Sequence, residues 1–215
     1  MMNQLLPYQE DSTNAIYDLL FCDSVAFYQK SIPSPRTYPW DIVLADSPGE
    51  GDLQKIINDP ALESRIKLLA YHILSTQGKK SVDRILLGVV VELGLDEGLD
   101  VLAAYRDGTA RYINYTGHMI IWETYNDESI AITKQLFESS GKIVSQIGPW
   151  NKPRRAFPAK GDLRISFLVS DGLYFGEGPI NTLFKDQLAA PALTAATSLL
   201  QYITSQAKEK PQPEG

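Results

Sequence analysis

The sequence predicts an α+β fold in which helices pack against a mainly antiparallel sheet of about six strands. Residues 85–93 form a β-branched, apolar run, which is typical of a buried strand. The dipeptides Asp107-Gly108 and Asp171-Gly172 each separate two strand-like segments, and both are tight-turn signals because glycine adopts positive φ without strain. Helical periodicity appears before, between and after these segments. We therefore expect a meander plus a hairpin, flanked by helices.

Alternating or β-branched segments define the expected strands. The meander strands are predicted at residues 82–93, 99–106, 109–115 and 118–123. A second group follows at 163–170 and 173–175, where Gly176 and the pair Gly178-Pro179 are expected to end the strand.

Capping residues and apolar stripes predict the helices. Asp59-Pro60 combines a good cap with proline at the first helical position, which predicts a helix from residue 60. Its stripe consists of Leu62, Ile66, Leu69 and Ile73, and Gly78 would end it.

Two further helices follow the meander and the hairpin. Asn126-Asp127 predicts the start of a helix with an apolar face that includes Ile130 and Leu136, and Gly141 could interrupt it. A last helix presents a narrow face of small and apolar residues: Leu188, Ala192, Ala196, Leu199 and Ile203.

The chain length of 215 residues suits one domain. We predict a single α+β domain over residues 1–208, with a helical part at 1–80 and the sheet with its flanking helices at 82–208. Residues 209–215 are polar and are predicted to be a disordered tail.

Composition narrows the possible partners. A formal net charge of −6 argues against broad binding to nucleic acids or anionic membranes, so neither is expected as a partner. The first residues lack a basic region followed by an apolar run, and no stretch is long and apolar enough to span a membrane. The single cysteine, Cys22, excludes an internal disulfide and is expected to be a small buried residue. We expect a cytoplasmic protein.

Catalytic, cofactor and metal signatures are missing from the sequence. Two histidines, His72 and His118, are too few for a multi-histidine metal site, and no phosphate-binding loop, dinucleotide motif or GxSxG elbow occurs. No catalytic residue, metal or cofactor is therefore predicted. The acidic residues Glu92, Asp96, Glu97 and Asp100 lack the spacing of a calcium loop and are expected to lie in a solvated hairpin loop.

Two segments are candidate binding surfaces. The first is the basic loop at residues 150–160, which combines aromatic and cationic side chains suited to a phosphate, a carboxylate or an acidic partner. Its predicted binding residues are Trp150, Lys152, Arg154 and Arg155. The alternative is that its arginines pair with acidic residues of the same chain.

The second candidate is the segment 171–179, where Tyr174 and Phe175 lie among glycines. Aromatic side chains in such a loop can anchor a partner or ligand. The alternative is that both rings fold back onto the sheet.

These features favour a non-enzymatic interaction or regulatory module that binds a protein partner, or a second copy of itself as a homodimer. Several aromatic residues fall in the meander, and some are expected on the sheet face opposite the main core: Tyr105, Tyr112, Tyr115 and Trp122. The alternative is a small anionic-ligand-binding protein, or an enzyme of unrecognised type, that uses Arg154 and Arg155.

Overall fold

The computed structural model describes residues 6–79 and 81–209, and it confirms the α+β class with a mainly antiparallel sheet. Five helices precede the sheet: α1 (Asp11–Leu19), α2 (Val25–Ser31), α3 (Trp40–Val43), α4 (Glu50–Asn58) and α5 (Ser64–Thr76). The meander follows as β1 (Leu86–Leu95), β2 (Gly98–Tyr105), β3 (Ala110–Ile113) and β4 (Met119–Trp122). The chain continues through α6 (Asp127–Val144), β5 (Asp162–Val169), β6 (Gly172–Pro179), α7 (Ile180–Leu183) and α8 (Ala189–Glu209).

All six strands form one antiparallel sheet in the order β4-β3-β2-β1-β5-β6. The second hairpin joins the meander because β5 pairs with β1, which makes both strands central. Strand β1 is apolar on consecutive positions because helices cover both of its faces. Gly108 and Gly172, in the two predicted tight turns, have φ values of +88° and +147°, which side chains rarely allow.

Helices α1 to α5 cover one face of the sheet, and α6 and α8 cover the other. Each face contributes its own apolar core. Some of the meander's aromatic residues do lie on the face opposite Tyr105, as expected, but helices cover that face. Tyr105 is buried in the first core, Tyr112 packs against the second, and Trp122 is buried in the second against Tyr202 of α8. Tyr115 alone among the four predicted aromatic residues is exposed.

The predicted start of α5 is wrong. Asp59 caps the C-terminus of α4, a helix not predicted from the sequence, and Pro60 lies in the turn that follows. Helix α5 begins at Ser64, and the Asp107 carboxylate in the β2–β3 turn accepts a 2.6 Å hydrogen bond from the Ser64 amide. The cap is thus supplied by a residue distant in sequence. Leu62 precedes the helix, although it still packs against the first core.

Helix α6 begins as predicted, because Asn126 and Ser129 form a reciprocal capping box. Gly141 does not interrupt the helix. Ile130 was expected on the apolar face, but 47% of its surface is exposed. The predicted strand end at Gly176 is also wrong, since β6 continues to Pro179.

The buried face of the last helix, α8, is the one predicted from the sequence. Pro191 lies in the first turn of this helix. Ala192, Ala196, Leu199 and Ile203 are buried in the second core, and Leu188 packs against it. The predicted tail at 209–215 falls outside the described residues except for Glu209, which ends α8. Within the described part of the chain, no helix combines the length and apolarity needed to cross a membrane.

Replacing Leu69 with Ala should lower the free energy of unfolding by about 2–5 kcal/mol, because its side chain is fully buried and the variant leaves a cavity. Urea unfolding measures the change. The control is Val82→Ala at a residue that is 97% exposed, for which we expect a loss below about 0.5 kcal/mol. Equal losses for the two variants would contradict the placement of α5 against the sheet.

Candidate functional site

A groove of about 610 Å³ lies between the helical layer that precedes the sheet and the basic loop. Residues of α1 and α5 form one side, and residues 150 and 152–157 form the other. The β5–β6 hairpin contributes residues 168–170, 172 and 173. We call this cavity the groove. Its size falls within the range of small-molecule sites.

Four of the six predicted binding residues line the groove: Trp150, Lys152, Arg154 and Arg155. The Trp150 amide donates a 2.6 Å hydrogen bond to the Leu173 carbonyl, which fixes the start of the basic loop to β6. Lys152 places its ammonium 5.4 Å from the centre of the Trp150 ring. The loop thus presents an aromatic and a cationic group to the same cavity.

Arg154 fastens the basic loop to the first helical layer. Its guanidinium lies 2.6 Å from an Asp18 oxygen and 3.2 Å from an Asp23 oxygen, and it is 4.0 Å from the centre of the Phe21 ring. Only 17% of the side chain is exposed. This arrangement matches the alternative considered for the loop, in which an arginine pairs with acidic residues of the same chain.

Arg155 is more available than Arg154. About half of its side chain is exposed, and its one ion pair with a described residue joins it to Glu177 at 3.4 Å. Glu177 is bound more closely by Arg164, whose Nε lies 2.7 Å away. Arg155 therefore retains hydrogen-bond donors for a ligand.

A buried charged ladder supports the wall of the groove. Glu92, Arg164 and Glu177 are cross-strand neighbours on β1, β5 and β6. Arg164 also donates to the carbonyls of Arg155 and Ala156 at 3.3 and 2.6 Å. The guanidinium therefore holds the middle of the basic loop against the sheet.

Glu92 is completely buried, so the expectation that it belongs to a solvated loop is wrong. Tyr17 donates a 2.6 Å hydrogen bond to its Oε1. Its Oε2 lies 3.7 Å from Arg164 and accepts no hydrogen bond from the described residues. Burial raises the pKa of Glu92, although Arg164 and the Tyr17 hydrogen bond oppose this shift.

Helix α5 contributes a polar strip that sequence reasoning missed. Tyr71, His72 and Ser75 line the groove, and no hydrogen bond joins their side chains to another described residue. Burial lowers the pKa of His72, with the Asp23 carboxylate opposing the shift. These three residues could have been found from the sequence, because their helical spacing places them beside the buried positions Leu69 and Ile73.

Tyr174 and Phe175, on strand β6, do not line the groove. Tyr174 is buried in the second core, and its hydroxyl donates a 2.8 Å hydrogen bond to Asp171. Burial, followed by this hydrogen bond, raises the pKa of Tyr174 to about 12. Phe175 packs edge-on against Trp150, with ring centres 5.2 Å apart, so it supports the basic loop from behind.

Cys22 borders the groove, but its thiol is not arranged as a nucleophile. The residue is buried, as predicted, and the Tyr28 hydroxyl lies 3.3 Å from its Sγ. Burial raises the pKa of Cys22 to about 12, which keeps the thiol protonated at neutral pH. Among the described residues, no group of three or more His, Cys, Asp or Glu side chains could hold a metal ion.

No protein-family model matches the sequence, and no curated protein matches it.

The unfolding free energy of the Glu92→Gln variant, taken relative to that of the wild type, should be higher at pH 7 than at pH 4. Burial raises the pKa of Glu92 in the folded state, so the folded protein binds this proton more tightly than the unfolded chain does. The contribution of Glu92 to the wild-type unfolding free energy therefore falls as pH rises from the unfolded pKa, about 4.3, towards the folded pKa. Glutamine removes this dependence.

Urea unfolding of both proteins at pH 4 and pH 7 measures the difference. Glu97→Gln, in the exposed β1–β2 turn, is the matched control and should change little with pH. If the variant, compared with the wild type, is equally stable or less stable at pH 7 than it is at pH 4, the raised pKa of the buried carboxyl is contradicted.

Proposed function

We propose that this protein binds a small ligand carrying an anionic group, and that the ligand occupies the groove. The observation that carries the proposal is the placement of two exposed cations, Lys152 and Arg155, on a cavity that aromatic side chains also line. Cationic donors beside apolar surface suit a ligand with a carboxylate or phosphate on an apolar body.

The three cations of the basic loop have different roles in this proposal. Arg154 is held by two carboxylates and a ring face, so it serves the structure of the groove. Lys152 forms no ion pair with any described residue, and Arg155 shares its carboxylate partner with Arg164. The anionic group is therefore assigned to Lys152 and Arg155.

Isothermal titration calorimetry with 3-phenylpropanoate and phenyl phosphate tests this function, with neutral 3-phenylpropanamide as the uncharged comparison. We expect at least one anion to bind more tightly than the amide, and added salt to weaken its binding. The double variant Lys152→Ala, Arg155→Ala should weaken anion binding by roughly 10-fold, since each partly exposed charge contributes up to about 1 kcal/mol.

The control for this experiment is Lys185→Ala, which removes an exposed lysine that does not line the groove. Its affinity for the anions should equal that of the wild type. If neither anion gives salt-dependent binding, or if the double variant binds as well as the wild type, the proposal is wrong.

Self-association is a second candidate function, and the surface around the start of α6 favours it. Tyr125 and Ile130 are 60% and 47% exposed, and both border a surface cavity of about 520 Å³. Exposed apolar side chains that lie together are typical of interfaces, and a two-fold dimer is the commonest assembly of identical chains. Under this candidate function, the occupant of the surface is a second copy of the chain.

Sedimentation velocity at micromolar concentrations tests the second candidate function. We expect a concentration-dependent dimer that the double variant Tyr125→Ser, Ile130→Ser converts to monomer, because the interface loses its apolar area. Tyr115→Ser, at a separate exposed aromatic residue, should leave the dimer intact. A wild-type protein that stays monomeric would exclude homodimer formation.

We further propose a cytoplasmic location. The support is the single cysteine, Cys22, which is kept as a buried thiol. Chains in oxidising compartments more often use cysteines in pairs as disulfides.

A further inference from the structure

We infer that the edge strand β4 pairs antiparallel with β4 of a second copy of this chain, so that the two sheets join across a two-fold axis. This pairing rests on the second candidate function, self-association, for which it names the strand and the register that form the interface.

The outer side of β4 has free backbone groups. Within the described sheet, β4 pairs with β3 alone, and the Asn114 amide donates a 2.9 Å hydrogen bond to the His118 carbonyl. Because residues of an antiparallel strand alternate in the direction of their hydrogen bonds, Ile120 bonds to β3, whereas Met119 and Ile121 point away from it. The amides and carbonyls of Met119 and Ile121 therefore have no partner among the described residues.

The opposite edge of the sheet, β6, is protected against pairing. The Trp150 amide of the basic loop bonds to the Leu173 carbonyl at 2.6 Å, and Pro179, which has no amide hydrogen, ends the strand. Strand β4 (Met119–Trp122) contains no proline and no charged residue, and 60% of the surface of Ile121 is exposed. Free apolar edges are rarely left uncovered in natural sheets, so β4 is the edge suited to pairing.

The charges around β4 permit a second copy to approach. A net charge of −6 opposes the association of two identical chains. The carboxylate that follows β4, Glu123, lies 2.6 Å from the guanidinium of Arg111, which is the cross-strand neighbour of Ile121. This ion pair neutralises the end of the strand, so that two copies can meet here with little repulsion.

The sequence of β4 is also complementary to itself. A two-fold axis at Ile120 places Met119 of each copy opposite Ile121 of the other, and the outward amides and carbonyls of these residues then bond to each other in both directions. Every opposed pair of these side chains is apolar, since Ile120 meets its own symmetry mate. The two Glu123 residues lie at opposite ends of the paired strands, roughly 20 Å apart.

The paired edge continues into the surface already considered for self-association. Residues 123–126 lead from β4 directly into α6, which places Tyr125 three positions after the strand. Tyr115 lies on the other side, because its amide donates a 2.8 Å hydrogen bond to the Asp100 carboxylate of β2 and holds its turn away from the free edge.

Sedimentation velocity with variants of Ile121 tests the pairing. Ile121→Pro removes an amide hydrogen that β3 does not use, so the sheet keeps its own hydrogen bonds. We expect the dimer dissociation constant to rise at least about tenfold, because each copy loses one donor to the other. Ile121→Val keeps the donor and the branched side chain, and it should dimerise like the wild type. If circular dichroism shows that Ile121→Pro unfolds, Ile121→Lys replaces it and should weaken the dimer by adding a charge to each edge.

Cysteine cross-linking tests the register. The two copies of residue 120 form a non-hydrogen-bonded pair with Cα atoms about 4.5 Å apart, which is within disulfide range. Ile120→Cys should therefore give a covalent dimer with oxidised glutathione. In the matched control Ile121→Cys, the two introduced thiols are diagonal neighbours with Cα atoms about 8 Å apart, so no disulfide should form. The native Cys22 is buried and should not react.

The outcomes separate the pairing of β4 from self-association itself. A wild-type dimer that Tyr125→Ser, Ile130→Ser disrupts and Ile121→Pro leaves intact would overturn the pairing while self-association stands. A dimer in which Ile120→Cys forms no cross-link, or in which Ile121→Cys forms one, would also overturn it. If the wild type stays monomeric, both are overturned, even where its free edge binds an extended peptide of another protein.

Discussion

The buried guanidinium of Arg164 holds together the parts of the molecule on which the groove depends. It bridges the carboxylates of Glu92 and Glu177 across three strands, and it donates to the carbonyls of the basic loop. A buried ion pair contributes little net stability when its desolvation is counted, but removing one partner leaves the other charge uncompensated. The ladder therefore constrains the conformation: the loop can bind to this part of the sheet only in the register that satisfies Arg164.

The arrangement around Arg154 follows from that constraint. With the loop carbonyls fixed by Arg164, the next side chain back along the loop, Arg154, reaches the end of α1 and the connection to α2. There Asp18, Phe21 and Asp23 surround its guanidinium. One arginine thus joins the loop to the sheet, and the other joins it to the helices. The space left between these two attachments is the groove, and the loop cations that neither attachment uses remain at its surface.

Local signals in the sequence were sufficient to locate the six strands, although not the end of β6, and to identify one helix cap. The turns at Gly108 and Gly172 and the box at Asn126 depend on neighbouring residues, and all three were predictable. The cap of α5 was not, because it comes from Asp107, which is 43 residues away. The burial of Glu92 also depends on a residue distant in sequence. Its position in a run of acidic residues predicted exposure to solvent, whereas its burial is decided by the strand that pairs with it. The basic loop was identified by composition, but nothing local indicated which of its arginines would be neutralised.

The walls of the groove come from parts of the chain that meet only in the folded protein. The ion pair between Asp18 and Arg154 joins residues 136 positions apart, and α5 lies between them in sequence. No fragment limited to the sheet or to the first helices can contain the complete groove. Occupancy of the groove is therefore linked to global folding: a ligand that binds only the native state adds its binding free energy to the unfolding equilibrium of the whole chain. Partial unfolding of either attachment of the loop would open the groove before the sheet itself is lost.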